Sequence, residues 1–144
     1  MANENAQTFY VGTHVILKTD KEALALHKTA FSDGTPCDLW TLPGGKIDRG
    51  ENEHETLKRE LSEELGFDLT DQKVQFVGYF MPTGGFKNGY RLCSLMFLIK
   101  LPERFQVDIS SEHDKYKWLP WNEFLNTRFH SDRVKMKDII LACR

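Results

Sequence analysis

The chain has 144 residues, the length of one ordinary domain, which sets aside a multi-domain reading. Hydrophobic residues at 40% and charged residues at 28% describe a soluble globular chain with apolar content enough for a core. Nineteen Lys and Arg against 21 Asp and Glu leave a net charge of −2, too balanced for binding nucleic acid through bulk positive charge, although a nucleotide ligand needs only a local site.

Residues 1–7 lack both a basic n-region and an apolar h-region, so a short polar tail is expected there rather than a secretory signal. Residues 8–144 are expected to form one domain, and no apolar run approaches the roughly 20 residues that span a bilayer. From Phe9 to Leu17, Phe9, Val11, Thr13, Val15 and Leu17 alternate with their neighbours at strand period. A turn at Asp20-Lys21-Glu22 and a second strand from Ala23 to Lys28 predict a hairpin with the first. Ser32 to Pro36 has loop chemistry, and Leu39-Trp40-Thr41-Leu42 is a short apolar strand ending at Pro43-Gly44-Gly45. Glu53 to Leu65 carries the clearest helical pattern, closed by Gly66 in the C′ position.

Val74 to Phe80 and Arg91 to Lys100 are predicted strands joined through Pro82 to Gly89, where Asn88-Gly89 is an ordinary hairpin turn. Lys115 to Leu119 is a late strand, Trp121 to Asn126 a helical turn or two, and Val134 to Cys143 a terminal helix. Strands outnumber helices and interleave with them irregularly, which gives an α/β class of the α+β or mixed-sheet kind, not a Rossmann fold. Cys37, Cys93 and Cys143 are odd in number and widely spaced, without a CxxC pair; reduced thiols in the cytoplasm are expected, with no structural zinc. Arg128, Arg133, Lys135 and Lys137 read as a solvated helix face, and no basic stripe with interleaved aromatics is present.

Projecting the helix at about 100° per residue places Glu53, Glu60, Glu63 and Glu64 within one arc beside the apolar stripe of Leu57, Leu61 and Leu65. Glu60 and Glu64 are an i, i+4 pair of like charge, which costs a few tenths of a kcal/mol in water and more beside a core. Something positive belongs in such a cluster, and hard oxygen ligands at this density suit Mg²⁺ or Mn²⁺. Arg59, four residues before Glu63, is placed to orient a carboxylate or to contact phosphate. The Gly-Gly turn before the helix lets backbone approach a ligand closely.

Gly45, Glu51 and Arg59-Glu60-Leu61-Ser62-Glu63-Glu64-Leu65-Gly66-Phe67 together resemble a complete Nudix box of the MutT-like hydrolases. All nine specified positions of G-x5-E-x7-R-E-U-x-E-E-x-G-U, U being bulky and apolar, are met over residues 45–67. The resemblance implies a Nudix α/β/α sandwich with a mixed β-sheet and a loop–helix–loop carrying the site. It implies that Glu60, Glu63, Glu64 and the Gly44 carbonyl hold Mg²⁺ or Mn²⁺, that Arg59 orients the catalytic carboxylates, and that Glu51 has a supporting role. Ser111-Glu112-His113 before Trp118 resembles the S-E-H…W segment of many family members, which makes Glu112 a candidate metal ligand or general base. His113 is a candidate phosphate contact or acid/base partner, and either Glu60 or Glu112 takes the proton of the attacking water.

The resemblance implies a divalent-metal-dependent hydrolase of a phosphoanhydride bond in a nucleoside diphosphate linked to another moiety. The compact chain resembles the nucleoside-triphosphate group more than the others. Pro82, 15 residues past Phe67, resembles a mark of ADP-ribose enzymes, so ADP-ribose or a nucleotide sugar is the alternative; a binding-only nucleotide domain belongs to another class. Phe86 and Lys87 are candidate substrate contacts, and Phe31, Trp40, Phe80 and Tyr90 are aromatics able to stack on a base or to pack in the core. A small nucleotide is the expected partner, with nucleic acid disfavoured and no membrane; the oligomeric state, monomer or homodimer, is left open.

Overall fold

The computed structural model describes residues 4–30, 34–83, 88–127, 129 and 133–143. Among them the elements run β1 (Phe9–Lys18), β2 (Glu22–Ala30), β3 (Pro36–Thr41), β4 (Gly44–Lys46), α1 (Glu53–Leu65), β5 (Gln75–Phe80), β6 (Arg91–Lys100), β7 (Lys115–Pro120), α2 (Trp121–Leu125) and α3 (Arg133–Leu141). The sheet order is β3-β2-β1-β6-β5, with β4 added to β1 and β7 to β2. β1 and β6 are parallel in register from Phe9↔Arg91 to Lys18↔Lys100, and the other ladders are antiparallel, so the sheet is mixed.

Side chains alternate across this sheet, and both faces are covered. Val15, Leu17, Leu24, Leu26, Phe97 and Ile99 meet Leu57, Leu61 and Leu65 of α1 on one face. On the other, Ile16, Ala23, Ala25, Met96 and Leu98 meet Phe124 of α2 and Met136 and Ile140 of α3. Burial on both faces explains why the central strands carry consecutive apolar residues rather than strict alternation. Each of the three α1 leucines is fully buried, and each contributes about 1.5–3 kcal/mol to docking the helix.

The hairpin expected of β1 and β2 forms only at its base, at Lys18↔Ala23. One edge of β1 is taken along its length by β6, and Gly44-Gly45-Lys46 occupies the other at Gly12–His14. β2 therefore diverges and pairs with β3 and β7 instead. The same pairing makes the Gly-Gly segment a strand, where the sequence suggested only the end of one.

α1 has the bounds its pattern predicts because both ends are capped. Asn52 and Glu55 form a reciprocal capping box, each side chain accepting from the other's backbone N–H. At the other end Gly66 takes φ 65°, and the N–H groups of Gly66 and Phe67 close onto the Ser62 and Leu61 carbonyls.

Candidate active site

Two glycines bring the sheet against the helix. Gly44 has φ 146°, and a Cβ there would stand 2.0 Å from the Thr13 carbonyl oxygen. A Cβ on Gly45 would stand 2.3 Å from Glu60 Oε1. With hydrogen in both places, the backbone of β4 lies directly on the carboxylates of α1, and the Gly44 N–H donates to Glu64 Oε1 at 3.1 Å.

Glu64 lies on the same side of α1 as Leu57 and Leu61 and is 3% exposed. Its carboxyl is pushed up to about 9, first by burial, next by the hydrogen bond it shares with Glu60, and further by the charges of Glu60 and Glu112; the Gly44 N–H pulls the other way. Glu60 is half-buried beside it, whereas Glu63 and Glu53 reach solvent.

Arg59 ties the carboxylates together. Its Nε and one terminal nitrogen grip Glu51 at 2.8 and 2.9 Å, and the other terminal nitrogen donates to Glu60 at 2.8 Å. The expected i, i+4 contact with Glu63 exists but is longer, 3.4 Å. Glu51 also accepts from the Asp48 N–H and the Thr56 hydroxyl. Arg59 first, then the Asp48 N–H, hold its carboxyl down to about 2. Glu51 thus anchors Arg59, and Arg59 fixes Glu60.

The segment before β7 completes the cluster. The N–H groups of Asp108 and Ser110 donate to the last α1 carbonyls, Leu65 at 2.9 Å and Glu64 at 3.0 Å. That zips the segment onto the helix end and brings Glu112 and His113 to Glu64, with one donor atom from each of the three within 4.8 Å of the others. The His113 side chain is 6% exposed, and burial lowers its pKa most, against the charges of Glu112 and Asp114. Its Nδ1 is buried without a hydrogen-bond partner among the described residues and stands 3.9 Å from Glu64 Oε2. A buried carboxyl facing a second carboxylate and an orphaned imidazole nitrogen is a donor set that could hold a divalent cation.

Phe86, Lys87 and Phe31 lie outside the described residues. Phe80 is fully buried on the α2–α3 face of the sheet, and Tyr90 packs on Tyr10 with ring centroids 5.0 Å apart. Trp40 sets its edge against His27 at 5.0 Å. Periodicity does not single out His27, and an imidazole directly after the apolar run Ala23 to Leu26 is the sequence signal that marks it. It is buried between Asp114, 2.7 Å from Nδ1, and Asp38, 2.5 Å from Nε2. Through Asp114 it ties the Glu112–His113 segment to β2.

The family model of the NUDIX domain matches residues 9–138, a span that includes all seven strands and α1. The mRNA-decapping enzyme subunit 2 of Saccharomyces cerevisiae is 31% identical over 112 residues, 74% of this chain but 11% of the yeast protein. This chain therefore spans only about a tenth of that relative's length. The asymmetrical bis(5'-nucleosyl)-tetraphosphatase of Rattus norvegicus is 29% identical over 111 residues, which cover 76% of this chain and 74% of the rat protein. Among solved structures, the E. coli ORF135 protein superposes with a TM-score of 0.76 at 21% identity, over 99% of this chain and 96% of that one.

Proposed function

The chain belongs to the NUDIX family, and on that footing we propose that it hydrolyses a nucleoside diphosphate linked to another moiety, foremost a nucleoside triphosphate or a related small nucleotide. The observation that carries this reading is Glu64, buried with one oxygen on the Gly44 N–H and the other turned toward His113, with Glu112 alongside. In this reading Glu60, Glu63, Glu64, Glu112 and the Gly44 carbonyl hold Mg²⁺ or Mn²⁺. Divalent cations supply charge neutralisation to phosphate oxygens that otherwise repel an attacking water.

The chain's own residues then divide the work. Arg59, gripped by Glu51, keeps Glu60 in place against the glycine strand. Glu60 or Glu112 accepts the proton of the attacking water, which requires hydrogen-bond reach of it. The Gly44 N–H donates to Oε1 of Glu64 and leaves Oε2 toward His113. Because the rat tetraphosphatase matches at nearly equal coverage of both chains, dinucleoside polyphosphates belong among the small nucleotides considered. Cys37, Cys93 and Cys143 are free thiols, which supports a reducing cytoplasmic setting.

The test is product release from purified protein with Mg²⁺ or Mn²⁺, read through a coupled phosphatase. The panel holds the NTPs and dNTPs, dinucleoside polyphosphates, ADP-ribose and nucleotide sugars. Triphosphate cleavage to monophosphate and pyrophosphate is expected. Exclusive cleavage of ADP-ribose would replace the leading substrate with the alternative and make Pro82 a specificity mark. Nucleotide binding by calorimetry without turnover of any panel member would overturn the enzymatic reading.

A further inference from the structure

The metal-ligand set implied by the family pattern is all oxygen. This chain adds a nitrogen. His113 follows Glu112 on a segment whose course is fixed by protein contacts alone: Asp108 and Ser110 are bonded to the end of α1, and Asp114 is bonded to His27. The imidazole is thereby carried into the interior, 6% exposed, with Nδ1 lacking a hydrogen-bond partner among the described residues. A buried nitrogen left unpaired is costly, so its position calls for a partner that the described residues do not provide.

The geometry indicates what that partner is. Glu64 Oε1 is already engaged by the Gly44 N–H, and it is Oε2 that faces His113 Nδ1, at 3.9 Å. That separation is too long for a hydrogen bond. It lies within the roughly 4 Å that two ligands can span when each is about 2 Å from a shared ion. Glu112 supplies a third donor within the same 4.8 Å cluster.

We propose that Glu64, Glu112 and His113 form a mixed nitrogen–oxygen subsite for a transition divalent cation, with His113 Nδ1 as a direct ligand. The inference deepens the metal-dependent reading above and rests on it. Imidazole nitrogen ligates first-row transition ions, of which Mn²⁺ is the weakest binder, whereas Mg²⁺ takes carboxylate, carbonyl and water oxygens. Glu60 and Glu63, with Arg59 between them, remain an oxygen-only set suited to Mg²⁺. The chain then holds two unlike cations, and the nitrogen-bearing subsite selects Mn²⁺ over Mg²⁺. His113 acts as a ligand to metal rather than as a contact to substrate phosphate.

The probe is Mn²⁺ alone, added to the full chain without nucleotide and observed by pulsed electron paramagnetic resonance. Bound Mn²⁺ should show hyperfine coupling to a directly ligated ¹⁴N nucleus. Protein labelled with ¹⁵N only at histidine should exchange that pattern for the ¹⁵N one, which identifies the residue type without any substitution. His113→Gln and His113→Asn, checked for native circular dichroism, should lose the coupling and bind Mn²⁺ at least tenfold more weakly, while Mg²⁺ binding changes less than threefold. Mn²⁺ bound without nitrogen coupling in the unsubstituted chain would overturn the mixed subsite and leave the metal-dependent reading standing. Failure to bind Mn²⁺ or Mg²⁺ at millimolar concentration would overturn both.

Discussion

Replacing Glu64 by Gln should make the metal-free protein more stable while removing its metal-dependent turnover. In the fold the Glu64 carboxyl is raised to about 9 by burial and by Glu60, whereas in the unfolded chain it has the ordinary value of 4.5. An acid with a raised folded pKa imposes no cost below its unfolded value. From there the cost grows as pH rises, because the unfolded chain ionises and the folded one does not. The interval from 4.5 to pH 7, at about 1.4 kcal/mol per pH unit, sets a ceiling of about 3–4 kcal/mol. Gln carries no charge, retains an oxygen for the Gly44 N–H and can donate to Glu60 as the protonated acid does. Most of that cost should therefore be recovered, and at roughly 2–4 °C per kcal/mol the melting temperature at pH 7 in EDTA should rise by roughly 6–12 °C. The gain should shrink toward nothing at pH 4, and saturating Mg²⁺ should stabilise the wild type more than the variant. Thermal melts of both proteins from pH 4 to pH 8, with and without EDTA, measure all of this. A variant that melts lower than the wild type in EDTA at pH 7, or whose advantage is undiminished at pH 4, would refute the reasoning.

Three further outcomes can be checked in the same laboratory. Gly45→Ala puts a methyl group 2.3 Å from Glu60 Oε1, and the shift this forces on Glu60 should lower kcat about 100-fold with native circular dichroism retained; unchanged kcat would remove Glu60 from the machinery. Arg59→Lys keeps the charge but loses the two-pronged grip on Glu51 together with the bond to Glu60. It should cost at least tenfold in kcat, and a lysine variant with full activity would show that charge alone suffices. Burial lowers the His27 pKa, but the hydrogen bonds it donates to Asp38 and Asp114 outweigh it and leave it raised above 6.5, while His27 holds Asp114 below 3.8. The clamp therefore stabilises most between about pH 4 and 6.5, weakening below as Asp114 protonates and above as His27 loses its proton. The stability difference between wild type and His27→Ala, followed by urea titration, should peak in that window, and a difference that grew steadily from pH 6 to 9 would contradict the assignment.

By itself the sequence determined the parts of this protein that depend on local spacing. The bounds of α1 follow from Asn52, Glu55 and Gly66, residues that cap their own helix ends. The proposal of Glu60, Glu63 and Glu64, with Arg59 among them, as site residues rests on a fixed pattern along one helix. The strands were legible for the same reason, since a period of two or an apolar run is a property of neighbouring residues. Tertiary structure alone decided which of those carboxylates is buried. Glu60, Glu63 and Glu64 share an arc of α1, yet only Glu64 lies wholly beneath β4, because Gly44 and Gly45 allow that strand onto the helix at that point. It alone decided that β2 leaves β1 after one pair, since the edge it would use is filled by Gly44-Gly45-Lys46. It also gave His113 its place, through backbone bonds to the end of a helix some 45 residues earlier and through a histidine on β2. Contacts between residues so far apart in the chain leave no periodic trace in it, and they are settled only when the packed sheet brings their strands together.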